Sequence, residues 1–209
     1  MLLPQSATHH FSDYTMDKEK IKEFFNERAA LWDGEMIRDD GIISRILEGA
    51  GITSGKTVLD VACGTGVLIP DYMSRGVSSV TGIDISPEMI RIAKEKFPRD
   101  NISFICCDAE DFSPAGKFDC IMIYNAFPHF SEPERLIERL SELLSPGGTL
   151  TVAHGMSRAR IDSHHRGAAR EVSVGLMHED ELAAIFARHL TVTLKISDEN
   201  MYQVTGVKG

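Results

Sequence analysis

The sequence predicts an α/β fold, a doubly wound and mostly parallel sheet with helices on both faces. Three observations carry this expectation. Short apolar runs alternate with helical patterns from residue 57 to residue 153, and such runs suit strands buried on both faces. The helices between them open on readable caps such as Ser86-Pro87, with Ser at the cap and Pro at the first helical position. A glycine turn, Gly64-Thr65-Gly66, follows the first run. Repeated strand–helix alternation of this kind closes into a parallel sheet.

The bulk properties agree. A chain of 209 residues suits one domain with a sizeable core. With 43% hydrophobic and 25% charged residues it has an ordinary globular composition. No apolar run approaches the roughly 20 residues of a membrane span. Residues 1–16 lack the basic region and apolar core of a secretory signal and are expected to form a flexible arm, leaving 17–209 as a single domain. Cys63, Cys106, Cys107 and Cys120 show no disulfide framework, which points to a reducing cytoplasm. A net charge of -9 argues against a nucleic-acid partner, because phosphate-backbone binding needs a basic surface. Nothing in the pattern sets an oligomeric state.

Taken in order, a helix is predicted over 18–32, where Ile21, Phe24, Phe25, Ala29 and Trp32 recur at helical spacing. A second, over 39–50, carries Ile42, Ile43, Ile46 and Leu47 on one face and ends at Gly51. Strands are predicted over 57–62, 79–83, 102–107, 118–124 and 149–153. Ser131 and Glu134 have the spacing of a capping box for a helix bearing Leu136, Ile137, Leu140, Leu143 and Leu144, which Ser145-Pro146-Gly147-Gly148 stops. The vicinal Cys106 and Cys107 end a strand read as buried, their sulfurs on opposite faces. Runs at 190–196 and 201–207 flank Ser197-Asp198-Glu199-Asn200 and read as a β-hairpin.

The chemistry concentrates around the glycine turn. A turn without Cβ atoms lets a ligand approach the backbone next to a helix, although many plain strand–helix connections carry one. Here it is accompanied by Asp60 within its strand, Asp84 at the end of the second strand and Asp108 after the third. In a doubly wound sheet these strand ends border one crevice. Asp84 lies 18 residues beyond Gly66, a suitable distance for a carboxylate that bonds ribose hydroxyls. Any one such Asp is commonly a cap or a solvated turn residue, but three beside a glycine turn point to a nucleotide-like ligand. A dinucleotide site wants a small residue three positions after the second glycine, where this chain has Ile69. Asp60 would also repel a pyrophosphate. The acid suits a ligand that carries an ammonium and a sulfonium.

Asp60-Val61-Ala62-Cys63-Gly64-Thr65-Gly66 closely resembles the first motif of the class I, Rossmann-like S-adenosylmethionine-dependent methyltransferases. Gly82-Ile83-Asp84-Ile85-Ser86 resembles their second, and Leu144-Ser145-Pro146-Gly147-Gly148-Thr149-Leu150 the segment before their fifth strand. The resemblance spans about residues 20 to 208 and is greatest to the ubiquinone/menaquinone-biosynthesis type, which acts on small molecules. It implies seven strands with an antiparallel last strand, to which the hairpin pattern also points. It implies N-terminal helices (17–50) and a helical lid drawn from residues 1–35, in which Trp32 contributes an aromatic ring. It further implies that S-adenosyl-L-methionine is the cofactor, with Asp60 orienting its ammonium, Gly64 and Gly66 permitting close backbone approach, and Asp84 holding the ribose hydroxyls. Ile85 would pack on the adenine, Asp108 would accept from its amino group beside the Ala109 backbone, and the Asn125 carbonyl would meet the ammonium. Asp111-Phe112 stands where some members carry a longer acidic stretch.

Methyl transfer is an in-line displacement, so alignment supplies much of its acceleration and a base is needed only for a protonated nucleophile. The stretch Tyr124-Asn125-Ala126-Phe127-Pro128-His129-Phe130 lines the reactive space in that family. His129 is the candidate base, or else a packing or capping histidine; Tyr124 is either a substrate contact or sheet core. Residues 155–178 form a candidate lid insertion. Within it, Arg158, Arg160, Arg166 and Arg170 suit an anionic small-molecule acceptor, with His154 at the preceding strand end as a further contact. A solvated basic loop explains the same residues. His154, His164, His165 and His178 lack the paired spacing of structural zinc sites, so no metal is expected. The function so predicted is methyl transfer to a small molecule. Its rivals are a non-catalytic cofactor-binding module and a nucleic-acid methyltransferase, whose Asn/Asp-Pro-Pro-Tyr/Phe signature is absent at Asn125-Ala126-Phe127-Pro128.

Overall fold

The computed structural model describes residues 16–164 and 172–209. Seven strands form one sheet: β1 (Thr57–Val61), β2 (Ser79–Asp84), β3 (Ile102–Cys106), β4 (Phe118–Tyr124), β5 (Leu144–His154), β6 (Thr191–Ser197) and β7 (Tyr202–Val207). Their order is β3-β2-β1-β4-β5-β7-β6. The pairings among β1 to β5 are parallel, whereas β7 runs antiparallel to both β5 and β6. The predicted mostly parallel sheet and its antiparallel last strand are both present. The winding reverses between β1 and β4, the place where open α/β sheets hold ligands at their carboxyl ends.

Strand alternation divides the core into two layers. Leu59, Val61, Ile121, Ile123, Leu150 and Val152 face α6 (Pro133–Glu142) and α8 (Glu179–Phe186). Val58, Val80, Cys120 and Met122 face α3 (Asp40–Gly49), α4 (Ile69–Ser74) and α5 (Pro87–Lys96). Each fully buried aliphatic side chain contributes about 1.5–3 kcal/mol, so these two layers dominate stability. Ser86 caps α5, its Oγ accepting from the Met89 N–H at 3.1 Å. Asp39 caps α3 in the same way, from Ile42 N–H at 3.0 Å.

Four local expectations are corrected. The helix predicted over 18–32 is two helices, α1 (Lys18–Arg28) and α2 (Trp32–Glu35). Tertiary bonds from Asp33 and an Arg28–Glu35 ion pair of 3.5 Å hold the bend between them against helix propensity. The Ser131–Glu134 capping box does not form. Pro133 takes the first helical position and Glu132 the cap, which removes the spacing a box requires; Glu134 pairs instead with Arg188 at 3.0 Å. Residues 145–148 do not stop α6, which ends at Glu142, so that Leu144 already lies in β5; the register jumps from Phe118–Leu144 to Cys120–Thr149, and residues 145–148 bulge between. Cys106 and Cys107 are not core. β3 is an edge strand, and the crossing 107–117 contains no helix to cover it, so Cys106 is exposed and Cys107 half-buried.

Two boundary expectations meet the edge of the described residues. The arm of residues 1–16 lies outside them except for Met16, which is buried against Ile21 and Val172. Of the 155–178 insertion, α7 (Arg158–His164) and residues 172–178 are described. The Val174 N–H donates to the Pro128 carbonyl at 3.0 Å, which draws this segment onto the turn after β4. No described helix is long and apolar enough to cross a membrane.

Candidate functional site

A cavity of about 1160 Å³, its mouth included, opens at the carboxyl ends of β1, β2 and β4. Trp32, Asp60, Gly64, Asp84, Ile85, Asp108, Ala109, Tyr124, Asn125 and His129 all line it. Gly66, His154 and Arg158 do not, and Arg166 and His165 lie outside the described residues.

The floor is the glycine turn. Gly64 and Gly66 take φ of 55° and 83°, in the left-handed region that glycine enters without strain. A Cβ on Gly64 would stand 3.5 Å from Trp32 Nε1, so its absence keeps the cavity wall open. Gly66 serves packing instead: a Cβ there would approach the Phe97 ring to 2.8 Å and Ile69 Cγ1 to 3.1 Å. The residue that departs from the dinucleotide pattern thus fills the space beneath the turn. Gly66→Ala should cost about 2–5 kcal/mol from overpacking and backbone strain together. Thermal unfolding should show a Tm lower by on the order of 10 °C.

Asp84 joins the turn to β2. Its Oδ2 accepts from the Gly64 N–H at 2.9 Å and its Oδ1 from the Ser86 N–H at 2.8 Å. Burial raises its pKa to about 6, and those two donors restrain the rise. Asp60 is 2% exposed. Burial raises its pKa to about 8, the charge of Asp84 adding to the effect. Tyr72, fully buried beside it, opposes the shift; its hydroxyl lies close to the carboxylate without meeting the geometry of a full hydrogen bond. A buried acid with no cationic partner among the described residues suits a cationic ligand group.

The roof comes from the N-terminal segment. Phe25 packs edge-on against Trp32, ring centroids 5.5 Å apart, and against His129 at 5.0 Å. Met16 and Ile21 meet Val172, with Ile85 beside them, so the two candidate lid segments touch. Lys18 reaches Asp108 Oδ2 at 2.6 Å and Glu110 at 3.2 Å. Burial alone would lower the pKa of that ammonium, but the two acids raise it. Sequence reading passed over Lys18, since a lysine on a polar helix face carries no signal until the fold brings it to Asp108.

Beyond β4, Asn125 takes φ of 55° and its Oδ1 accepts from the Gly155 N–H at 2.9 Å. This clamps the turn against the end of β5. Phe127–His129 forms a 3-10 turn. His129 Nδ1 lies 2.6 Å from the Val172 carbonyl. A carbonyl only accepts, so Nδ1 carries the proton and Nε2 is the basic atom of the neutral ring. His154 is buried against Tyr202 at a centroid distance of 6.0 Å. Its strand-end position predicted a ligand contact, but its side chain turns toward β7. Arg158 is half-buried at the start of α7. His178 caps α8, Nδ1 accepting from the Asp180 N–H at 3.2 Å. Among the described residues no three His, Cys, Asp or Glu side chains are grouped to hold a metal ion.

Known proteins share this architecture. The profile of a family described as "Methyltransferase domain" matches residues 58–148. A ubiquinone biosynthesis O-methyltransferase of Coxiella burnetii is 31% identical over 148 residues, covering 66% of this chain and 62% of that protein. The match therefore spans less than two thirds of that relative's length. A chain from the complex between the Haloferax volcanii Trm112 methyltransferase activator and a methyltransferase superposes with a TM-score of 0.75 at 21% identity, covering 90% of this chain and 97% of that one. The N-methyltransferase NodS of Bradyrhizobium japonicum, in complex with S-adenosyl-L-homocysteine, gives 0.69 at 18% identity, covering 90% and 98%. Residues 58–148 thus resemble a methyltransferase domain, and the chain shares the fold of these solved methyltransferase structures.

Proposed function

We propose that the chain transfers a methyl group from S-adenosylmethionine to a small-molecule acceptor within this cavity. The observation that carries the proposal is the convergence of Asp60, Asp84 and Asp108 on one cavity beneath the Phe25–Trp32 roof. The cofactor supplies a methyl group already activated by its sulfonium. Asp84 holds the ribose hydroxyls, Asp108 the adenine amino group, and Ile85 one face of the ring. Asp60 and the Asn125 carbonyl hold the ammonium at the β1–β4 junction. Phe25 and Trp32 exclude water above the reacting centre. His129 Nε2 takes the acceptor's proton where the acceptor arrives protonated. Tyr124 and Phe130 bound the same space.

Methyl release from labelled cofactor, measured across phenols, carboxylic acids, amines and thiols, tests the proposal. Transfer to at least one small acceptor is expected. His129→Ala should lower kcat by about a hundredfold or more, with the acidic limb of the pH profile lost. Tight S-adenosylhomocysteine binding with no transfer to any acceptor would mark a non-catalytic binding module instead.

A further inference from the structure

The roof is fastened to the floor at a point no ligand argument required. We propose that Asp33 is a positioning residue, which ties α2 to the glycine turn and so fixes Trp32 over Gly64. The proposal rests on the cavity being the cofactor site. Asp33 Oδ1 accepts a short hydrogen bond from the hydroxyl of Thr65, the fully buried residue between the two glycines. Asp33 Oδ2 accepts from Lys96 Nζ at 2.6 Å, and the same ammonium lies 3.4 Å from Thr65 Oγ1. Lys96 closes α5, immediately before the Phe97 ring that fills the space under Gly66. One carboxylate therefore joins three elements: the roof helix, the turn and the end of α5.

Two further roof tethers lie to either side. Ser86 Oγ donates to Asn26 Oδ1 at 2.6 Å and fixes α1 to α5. Arg38 donates to the Val67 carbonyl at 3.1 Å and to both oxygens of Asp71 at 2.7 and 2.8 Å. Between them, Asp33 holds the helix that carries Trp32. Burial pushes the Asp33 carboxyl up, but Lys96 and Thr65 together hold it below the usual carboxylate range, so the tether stays ionised at neutral pH. The Asp33–Lys96 pair is half-exposed, and such pairs contribute about 0–1 kcal/mol to stability. The effect of Asp33 is geometric: in a reaction governed by alignment, a displacement of about 1 Å costs roughly a hundredfold.

Trp32 is the single tryptophan of the chain, so its emission reports the roof directly. The test compares Asp33→Ala, Thr65→Val and Thr65→Ser, each read by Trp32 emission without ligand and by calorimetry with S-adenosylhomocysteine. Asp33→Ala and Thr65→Val should shift the ligand-free emission to the red and weaken binding about tenfold. Thr65→Ser, which keeps the hydroxyl, should retain both wild-type values. Unchanged emission and affinity in Asp33→Ala would overturn the proposal, whether or not Thr65→Val folds. A wild-type chain that binds no S-adenosylhomocysteine would instead sink the cofactor reading, while the emission arm would still judge the tether.

Discussion

Asp84→Ala should weaken S-adenosylhomocysteine binding by at least a hundredfold. Hydrogen bonds to a charged group contribute about 1.5–3 kcal/mol each, and the proposed ribose contact loses two. The same substitution strips the Gly64 and Ser86 N–H groups of the acceptors they hold at 2.9 and 2.8 Å. Ser86 is fully buried, so its donor would be left without water or protein. Calorimetry should therefore record lost binding together with a lower Tm. Asp84→Asn retains one carbonyl oxygen and should recover part of the stability but little of the affinity. An affinity within threefold of wild type in the alanine variant would remove Asp84 from the ligand site.

Affinity for the same ligand should rise steeply between about pH 6 and pH 8. Asp60 holds its proton to about 8 in the folded chain, and the ligand ammonium is best met by the ionised acid. Binding below that pH must release a proton, which gives up to a tenfold gain per pH unit. Calorimetry in buffers of different ionisation enthalpy should register the release, and Asp60→Asn should abolish it. The stability of the ligand-free protein should move in the opposite direction. Both Asp60 and Asp84 have folded-state pKa values raised above the ordinary 3.8, so between about pH 4 and 8 the folded chain binds more protons than the unfolded one. Their contribution is complete below about pH 4 and is lost as pH rises through about 6 and then about 8. A binding constant flat across this interval would show Asp60 to be ionised before the ligand arrives.

The sheet and the cavity floor were legible because they follow from short-range signals. Apolar runs mark β1, β2 and β4, glycine marks the turn, and a carboxylate at a strand end needs only the strand to be placed. The roof was partly legible, since Phe25 and Trp32 stand out as aromatic residues on a helical pattern. Its fastening was not. Asp33, Thr65 and Lys96 are ordinary polar residues 31 or 32 positions apart, and only the fold brings them together. The failed capping box has a similar cause on a shorter scale: Pro133 moved the helix start by one residue, and a spacing argument has no tolerance for that. Cys106 and Cys107 were misplaced because the burial of a strand depends on its neighbours. A crossing without a helix left β3 uncovered.

Among the described residues the cavity collects four acids, Asp60, Asp84, Asp108 and Glu110, against the single ammonium of Lys18. A sulfonium donor enters such a site carrying one net positive charge and leaves as a neutral thioether. The field of these acids holds the unspent donor more tightly than the spent one, so the product leaves more readily than unreacted donor. The same field resists the loss of charge that the reaction requires, and therefore slows the step it surrounds. On the proposed function, speed has to come from how squarely donor and acceptor are lined up, which gives the hold of the roof on Trp32 a direct bearing on turnover.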